Sequence, residues 1–403
     1  MIKPKQFVES ENKFLLLIFL FALFIRLLYV IQLPLQKISP DAYDWIGIAE
    51  NIVSGKGFGE AWRPPGYAAF LSAVFFFLGK SIVLVRLINS ILGSLTCIFI
   101  YFIGKKIFTD TIGKISSAIL CFYPYLISYT GDLLSETFYT FLISLSLLFI
   151  LITGETPNIK NNIATGIILG ITALTKATIL PFFFLACFWL WWKTKKIKIG
   201  FIAGMFTLLV VAPWTVRNYL HFKKIILVSP GYQSLAKSNN DEAMILETTG
   251  EKSEPAAAEF NFTPTRYHEI ERLPRMESEK IFKQEAIDWI NANPEKFRWL
   301  VKRRLIHFWR LYPMMAYKWQ KIAAMLTSGI YIPLCFIGII LSIKNFRNTS
   351  LFIALFFIYT LVHLPFAVVL RYRVPIDPYI IIFASYTIHF LWIKLKSFIS
   401  SRV

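Results

Sequence analysis

The stretch Ser39-Pro40-Asp41-Ala42-Tyr43-Asp44-Trp45, running on through Gly55-Lys56-Gly57-Phe58 to Trp62-Arg63-Pro64-Pro65-Gly66-Tyr67, decides how this chain is read. It sets Asp41, Asp44, Glu50, Glu60, Arg63 and a Pro-Pro-Gly turn between strongly apolar segments. Acids and arginines are costly at membrane depth and tolerable at its surface. The neighbouring segments are therefore expected to hold this loop at a membrane face. Within it, 41–54 reads as a short amphipathic helix, with Tyr43, Ile46, Ala49, Ile52 and Val53 at three-four spacing. Gly55, Gly57 and Gly59 end it. Ala68–Leu78 is apolar but short for a span, so it is expected to lie in or dip into the interface.

The rest of the composition agrees. Of 403 residues, 56% are hydrophobic and 17% aromatic, and the mean hydropathy is +0.56. Soluble domains average roughly 45–50% apolar. Several runs reach the ~20 residues that span a bilayer. The fold class expected is an all-α polytopic membrane protein of about ten spans. Lys13 followed by Phe14–Leu33 reads as a retained first span rather than a removable signal. The formal charge of +19 does not indicate nucleic acid, because most Lys and Arg flank apolar runs. Cys97, Cys121, Cys187 and Cys335 lie scattered in apolar segments without metal or disulfide spacing.

Basic turns fix the expected topology. Lys3, Lys5 and Lys13 place the N-terminus in the cytoplasm and the loop 35–81 outside. Spans are then expected at about 14–33, 82–103, 115–129, 137–153, 163–175, 177–192, 199–213, 322–343, 350–367 and 376–393. Lys105, Lys106, Lys160, the lysines 193–198, Lys344, Arg347, Lys394 and Lys396 all fall inside. Three regions follow: a bundle over 1–213, a polar segment over 214–320, and C-terminal spans over 321–403. The polar segment carries 13 acids, Asp241 to Glu295, of the chain's 24. Its start, 229–262, reads as irregular. Farther on, Ile281 to Ile290 and Phe297, Leu300, Val301, Leu305 and Phe308 follow helical spacing, with Asn293-Pro294 as cap and first turn. Lys296, Lys302, Arg303 and Arg310 lie off that second face and suit lipid headgroups.

With this topology Asp41, Asp44, Arg63, Asp132, Glu136, Lys176, Arg217, Arg371 and Arg373 collect at the outer ends of spans. Guanidinium groups hold phosphate bidentately, and a carboxylate can take a proton from a hydroxyl. Each residue also has a bland reading. Asp41 could cap its helix. Asp44, Glu50 and Glu60 are the solvated acids such loops usually carry. Glu136 could be a first-turn acid, and Lys176, Arg371 and Arg373 could be snorkelling anchors. His363 reads as a core or interface histidine. Asn261-Phe262-Thr263 matches a glycosylation sequon. No P-loop, dinucleotide fingerprint or zinc-binding HExxH is present.

At Asp41-Ala42, Ala49, Gly55-Lys56-Gly57-Phe58 and Arg63 to Tyr67, the loop resembles the first outer loop of the GT-C glycosyltransferases. The likeness is to the bacterial branch related to protein O-mannosyltransferases and aminoarabinose transferases. Leu134-Ser135-Glu136, Gly170 to Lys176, Pro213 to Tyr219, Gly231 with Asn239-Asn240, Asn293-Pro294 and Arg371 to Pro378 agree in order. The resemblance implies an inverting enzyme that moves a sugar from a polyprenyl-phosphate carrier to a hydroxyl acceptor (lipid, glycan or protein). The site would face outward from the cytoplasmic membrane. Asp41 matches the family's first-loop catalytic acid, and Glu136 its second-loop acid. Arg63, Lys176, Arg217, Arg371 and Arg373 match its phosphate-binding bases, and Asp44 and Tyr67 would touch substrate. Some relatives use a divalent cation and others do not. Many mannosyltransferases pair Asp with Glu where this chain has Asp41-Ala42, which leaves acceptor and metal open. Two other classes remain open: a lipid-linked sugar flippase, needing charges at mid-membrane where only Arg26 and Arg86 stand, or a non-catalytic partner in polysaccharide assembly.

Overall fold

The structure, a computed structural model, describes residues 4–35, 38–59, 63–227, 231–249, 265–311 and 318–401. Every regular element among them is helical. The first part of the chain forms α1 (Pro4–Ile31), α2 (Pro40–Val53), α3 (Pro65–Leu78), α4 (Ile82–Ile107), α5 (Asp110–Cys121), α6 (Pro124–Thr130), α7 (Ser135–Glu155), α8 (Ile159–Thr175), α9 (Leu180–Thr194) and α10 (Ile197–Phe222). A polar lobe follows, with α11 (Tyr232–Ser238), α12 (Asp241–Thr249), α13 (Thr265–Glu271), α14 (Arg275–Ala292) and α15 (Pro294–Phe308). The last part is α16 (Lys318–Leu326), α17 (Ser328–Leu341), α18 (Phe346–His363), the four-residue α19 (Leu370–Arg373) and α20 (Asp377–Ser400). Proline stands in the first turn of α2, α3, α6 and α15, where its missing N–H has no helical partner to lose.

Among the described residues, 8 helical stretches are long and apolar enough to cross a membrane. They are Glu9–Ile31, Ile82–Ile107, Ser135–Glu155, Ala177–Thr194, Ile197–Phe222, Lys321–Leu341, Ile343–His363 and Leu370–Ser400. The chain is a multi-pass membrane protein. Lipid offers helices no hydrophobic drive toward one another, so small residues and hydroxyl pairs must join them. On α8, a Cβ at Gly166 would lie 2.5 Å from the Ala203 carbonyl of α10, so the two backbones touch. Ser146 and Thr172 pair at 2.9 Å, Thr153 and Thr165 at 2.8 Å, and Ser144 and Tyr379 at 2.9 Å.

The bundle has two polar ends, as the alternating basic turns predict. At one, Lys105 meets Glu11, Lys106 meets Glu155, and Arg347 donates to the Lys193 carbonyl. At the other, the Ser39 amide donates to Asp132, and Asp41 and Glu136 gather their cations.

Several expectations are corrected. The segment expected to span as 115–129 is two helices, α5 and α6. Pro124 confines Tyr123 to extended backbone (φ −72°, ψ 109°) and breaks the run there. The span expected to stop at Pro213 continues to Phe222 with Pro213 inside it. On α2 the buried face is Ala42, Trp45, Ile46 and Ala49, because it packs on α3; Tyr43 and Val53 are exposed. On α15 the buried stripe is Leu300, Arg304 and Phe308, and Leu305 is exposed. Asn293 precedes α15 without capping it, its amide donating back to the Trp289 carbonyl at 3.0 Å. Much of the segment read as irregular is helical, in α11 and α12. Glu60, Glu251, Glu254, Glu259 and the sequon at Asn261 lie outside the described residues.

The lobe has its own small core of Ala236, Tyr267, Phe282 and Ala286. A second apolar cluster, with Ala42, Trp45, Tyr67, Leu71, Leu133 and Leu134, packs α2 and α3 beside α4 and the start of α7. That cluster is the platform on which the first loop stands.

Candidate active site

Helix starts supply the acids. Pro40 opens α2 and leaves Asp41 in its first turn, with no side-chain cap bond made there. Ser135 opens α7 and leaves Glu136 in its first turn, where an acid is favoured by the exposed amides of the helix end. Helix junctions and one short helix supply the cations. Lys176 ends α8, Arg63 precedes α3, and Arg371 lies on α19.

These five residues, from five parts of the chain, close into one network. Arg371 sits at its centre. Its Nε donates to Glu136 Oε1 at 2.5 Å, and its Nη1 donates to Asp41 Oδ2. Lys176 Nζ donates to the same Glu136 oxygen at 2.9 Å. Arg63 Nη2 bridges Asp41 Oδ1 at 3.1 Å and Asp44 Oδ2 at 2.8 Å. Glu136 is fully buried, and its Oε2 is a buried oxygen without a hydrogen-bond partner. Asp41 keeps 44% of its side chain open to solvent. The arrangement is graded, from an acid facing solvent to an acid facing the bundle, with one arginine across both.

Charge sets the state of Asp41. Burial alone would raise its pKa, but the hydrogen bond and charge of Arg371, then Arg63, outweigh it and hold the carboxyl below its ordinary 3.8. Asp41 is therefore ionised throughout the neutral range. Aromatic rings fix the cations. Arg63 lies over the Trp45 ring at 4.7 Å and Lys176 over the Tyr139 ring at 5.3 Å. Trp45 meets Tyr67 edge-on at 5.2 Å.

Other expected site residues stand apart. Tyr67 is wholly buried among apolar side chains, and its hydroxyl has no hydrogen-bond partner. Arg217 donates to the Gly59 carbonyl and to Asn218 Oδ1 at 2.9 Å, lying over Trp214 at 4.9 Å. It guards the loop beside the network without joining it. Arg373 points elsewhere, to Asp377 Oδ1 at 3.0 Å and to two carbonyls at the end of α15. His363 packs between Tyr359 and Tyr372, its Nδ1 on the Tyr359 carbonyl.

The residues do not fit a resident metal. Among the described residues, no three of His, Cys, Asp and Glu stand close enough to hold an ion. Both Asp41 oxygens already accept from guanidinium groups.

Residues 62–216, the part of the chain that carries Arg63, Glu136 and Lys176, match the model of the dolichyl-phosphate-mannose-protein mannosyltransferase family. The apo crystal structure of the oligosaccharyltransferase of Archaeoglobus fulgidus superposes with a TM-score of 0.59 at 13% identity, over 97% of this chain and 51% of that one. The chain shares the fold of that oligosaccharyltransferase over nearly its whole length. AglB of the same organism, in complex with an inhibitory peptide and a dolichol-phosphate, also gives 0.59, at 14% identity over 96% and 51%. The chain thus spans about half the length of those oligosaccharyltransferases. ArnT from Cupriavidus metallidurans bound to undecaprenyl phosphate gives a TM-score of 0.40 at 11% identity, over 96% and 78%. No curated protein matches the sequence.

Sequence reasoning missed Arg304, Tyr123 and Asp377. Arg304 is fully buried and binds Glu247 at 3.0 Å; its signal was a charge four residues after Leu300 and four before Phe308. Asp377 accepts from the Tyr123 hydroxyl at 2.7 Å, and its signal was the four-residue spacing from Arg373.

Proposed function

We propose that this chain is a GT-C-type glycosyltransferase that moves a sugar from a polyprenyl-phosphate carrier to a hydroxyl acceptor at the outer face of the cytoplasmic membrane. The observation that carries the reading is Arg371 shared between Asp41 and Glu136, beside Lys176, at one end of the bundle. Dolichol-phosphate in the AglB complex supports the carrier class.

Asp41, the acid open to solvent, takes the proton of the acceptor hydroxyl as that oxygen attacks the anomeric carbon. The carbon–oxygen bond to the phosphate breaks, and the polyprenyl phosphate leaves with the electron pair. Arg371 and Lys176, with Arg63 and Arg217 nearer the loop, stabilise that developing charge. Asp41, Asp44 and Glu136 balance Arg63, Lys176 and Arg371, three charges of each sign. An incoming phosphate must therefore draw guanidinium groups from the carboxylates. Asp41 then loses the partners that depress its pKa and becomes the stronger base, so donor binding arms the site. Glu136 keeps Lys176 and Arg371 in place. The lobe within 214–320 covers the site and selects the acceptor.

The test is transfer in vesicles. Purified protein receives a panel of polyprenyl-phosphate sugars with candidate acceptors, and free polyprenyl phosphate is followed. Acceptor-dependent release with one donor is the expected result; no release with any donor would sink the reading.

A further inference from the structure

The polar lobe meets the acid network through a helix of four residues. Isolated helices need about 12–15 residues to persist, so the shape of α19 is supplied by its neighbours. Arg371 and Arg373 are two positions apart, about 200° around a helix of 3.6 residues per turn, and they face opposite ways. Arg371 faces Asp41 and Glu136. Arg373 is 2% exposed, and its Nη1 donates to the Phe308 carbonyl at 3.2 Å and the Arg310 carbonyl at 2.8 Å, at the C-terminal end of α15. Its Nε holds Asp377, which Tyr123 fixes from the other side.

The approach to α19 is tied to the lobe as well. The Pro365 carbonyl accepts from Asn239 Nδ2 at 2.9 Å and from Arg304 Nη1 at 3.0 Å. The Ala367 amide donates to Ser238 Oγ at 2.9 Å. Arg304 also donates to Glu247 Oε1, to Asn239 Oδ1 at 3.0 Å and to the Ser238 carbonyl. Helices α11 and α15 thus grip the chain on both sides of Arg371. Nothing in the transfer chemistry requires either buried arginine to touch substrate.

We propose that Arg304 and Arg373 are positioning residues that seat Arg371 between Asp41 and Glu136, so that the docking of the lobe sets the geometry of the acid network. For its effect on transfer this rests on the proposed function; the mechanical coupling stands apart from it. A lobe displaced by its acceptor would move Arg371 directly, which gives acceptor selection a route to the chemistry.

The experiment uses the full chain in lipid nanodiscs and two variants, Arg304→Gln and the milder Ser238→Ala. Hydrogen exchange is followed in 364–373 and, as control, in α7. Both variants are expected to exchange faster in 364–373 and unchanged in α7. In transfer, Arg304→Gln is expected to lose roughly 100-fold in kcat, the scale of a 1 Å misplacement, with KM for donor little changed. It should lose nothing further in an Arg371→Gln background. Protection of 364–373 equal to wild type in Ser238→Ala, or penalties that simply add in the double variant, would overturn the proposal. Should the wild type transfer no sugar, the exchange result still decides the coupling, and the failure belongs to the functional reading alone.

Discussion

Replacing Glu136 by Gln removes one charge and almost no volume. Glu136 is fully buried and its Oε1 receives both Lys176 and Arg371. After the change, Asp41 is the one acid left to Arg371, and Lys176 loses its hydrogen-bonded carboxylate. Breaking a buried pair by removing one partner costs about 3–5 kcal/mol, because the surviving charge stays desolvated. Of that, little is offset by the new amide, whose oxygen accepts one hydrogen bond without charge. The expected result is a fall of several degrees in the unfolding midpoint in nanodiscs at pH 7. Lys176→Met in the same chain should restore most of the loss, since replacing a whole buried pair with apolar groups is often neutral. Polyprenyl phosphate should also protect Glu136→Gln more than wild type, because it supplies the anion the cations lack. A shift within about 0.5 kcal/mol, the range of an ordinary surface substitution, would refute the reasoning, as would a double variant less stable than Glu136→Gln.

Three further outcomes follow from the same geometry. Gly66→Ala puts a methyl 2.5 Å from Thr175 Oγ1 and 2.8 Å from its amide; overpacking of this kind costs about 1–3 kcal/mol, and the push falls next to Lys176, so stability and donor turnover should drop together. Asp41 has a depressed pKa in the fold, so its stabilising contribution is complete above the unfolded value of about 3.9 and is lost only as pH falls through the lower folded value. The difference in unfolding midpoint between wild type and Asp41→Asn should therefore be the same at pH 5 and pH 8. Arg217→Ala removes a cation beside the network rather than in it, and should raise the KM for donor more than it lowers kcat, measured by steady-state release.

Much of the site was legible because chemistry and topology pointed the same way. Asp41, Arg63, Glu136, Lys176 and Arg371 each sit at a helix end, and the positive-inside rule alone assigns those ends to one face. What the sequence hid is direction. Arg371 and Arg373 read as one basic pair, yet two residues on a helical turn point apart, and only packing says which faces the acids. Tyr67 lies in the loop motif and still turns into the platform, where it meets Trp45. On α15 the pattern named Leu305, whereas burial chose Arg304, because the lobe offers it Glu247, the Asn239 amide oxygen and the Ser238 carbonyl, and the approach to α19 adds the Pro365 carbonyl. The break at Tyr123 was announced by Pro124, and the apolar run around it masked the signal.

The most direct test of the central claim compares wild type with Asp41→Asn in vesicles, following sugar transfer while donor binding is measured on the same samples. Asp41→Asn is expected still to bind polyprenyl-phosphate sugar and to fail to transfer it, since the base is gone and the arginines remain. Transfer at the wild-type rate by Asp41→Asn would contradict it and take the proton-accepting role away from the first loop.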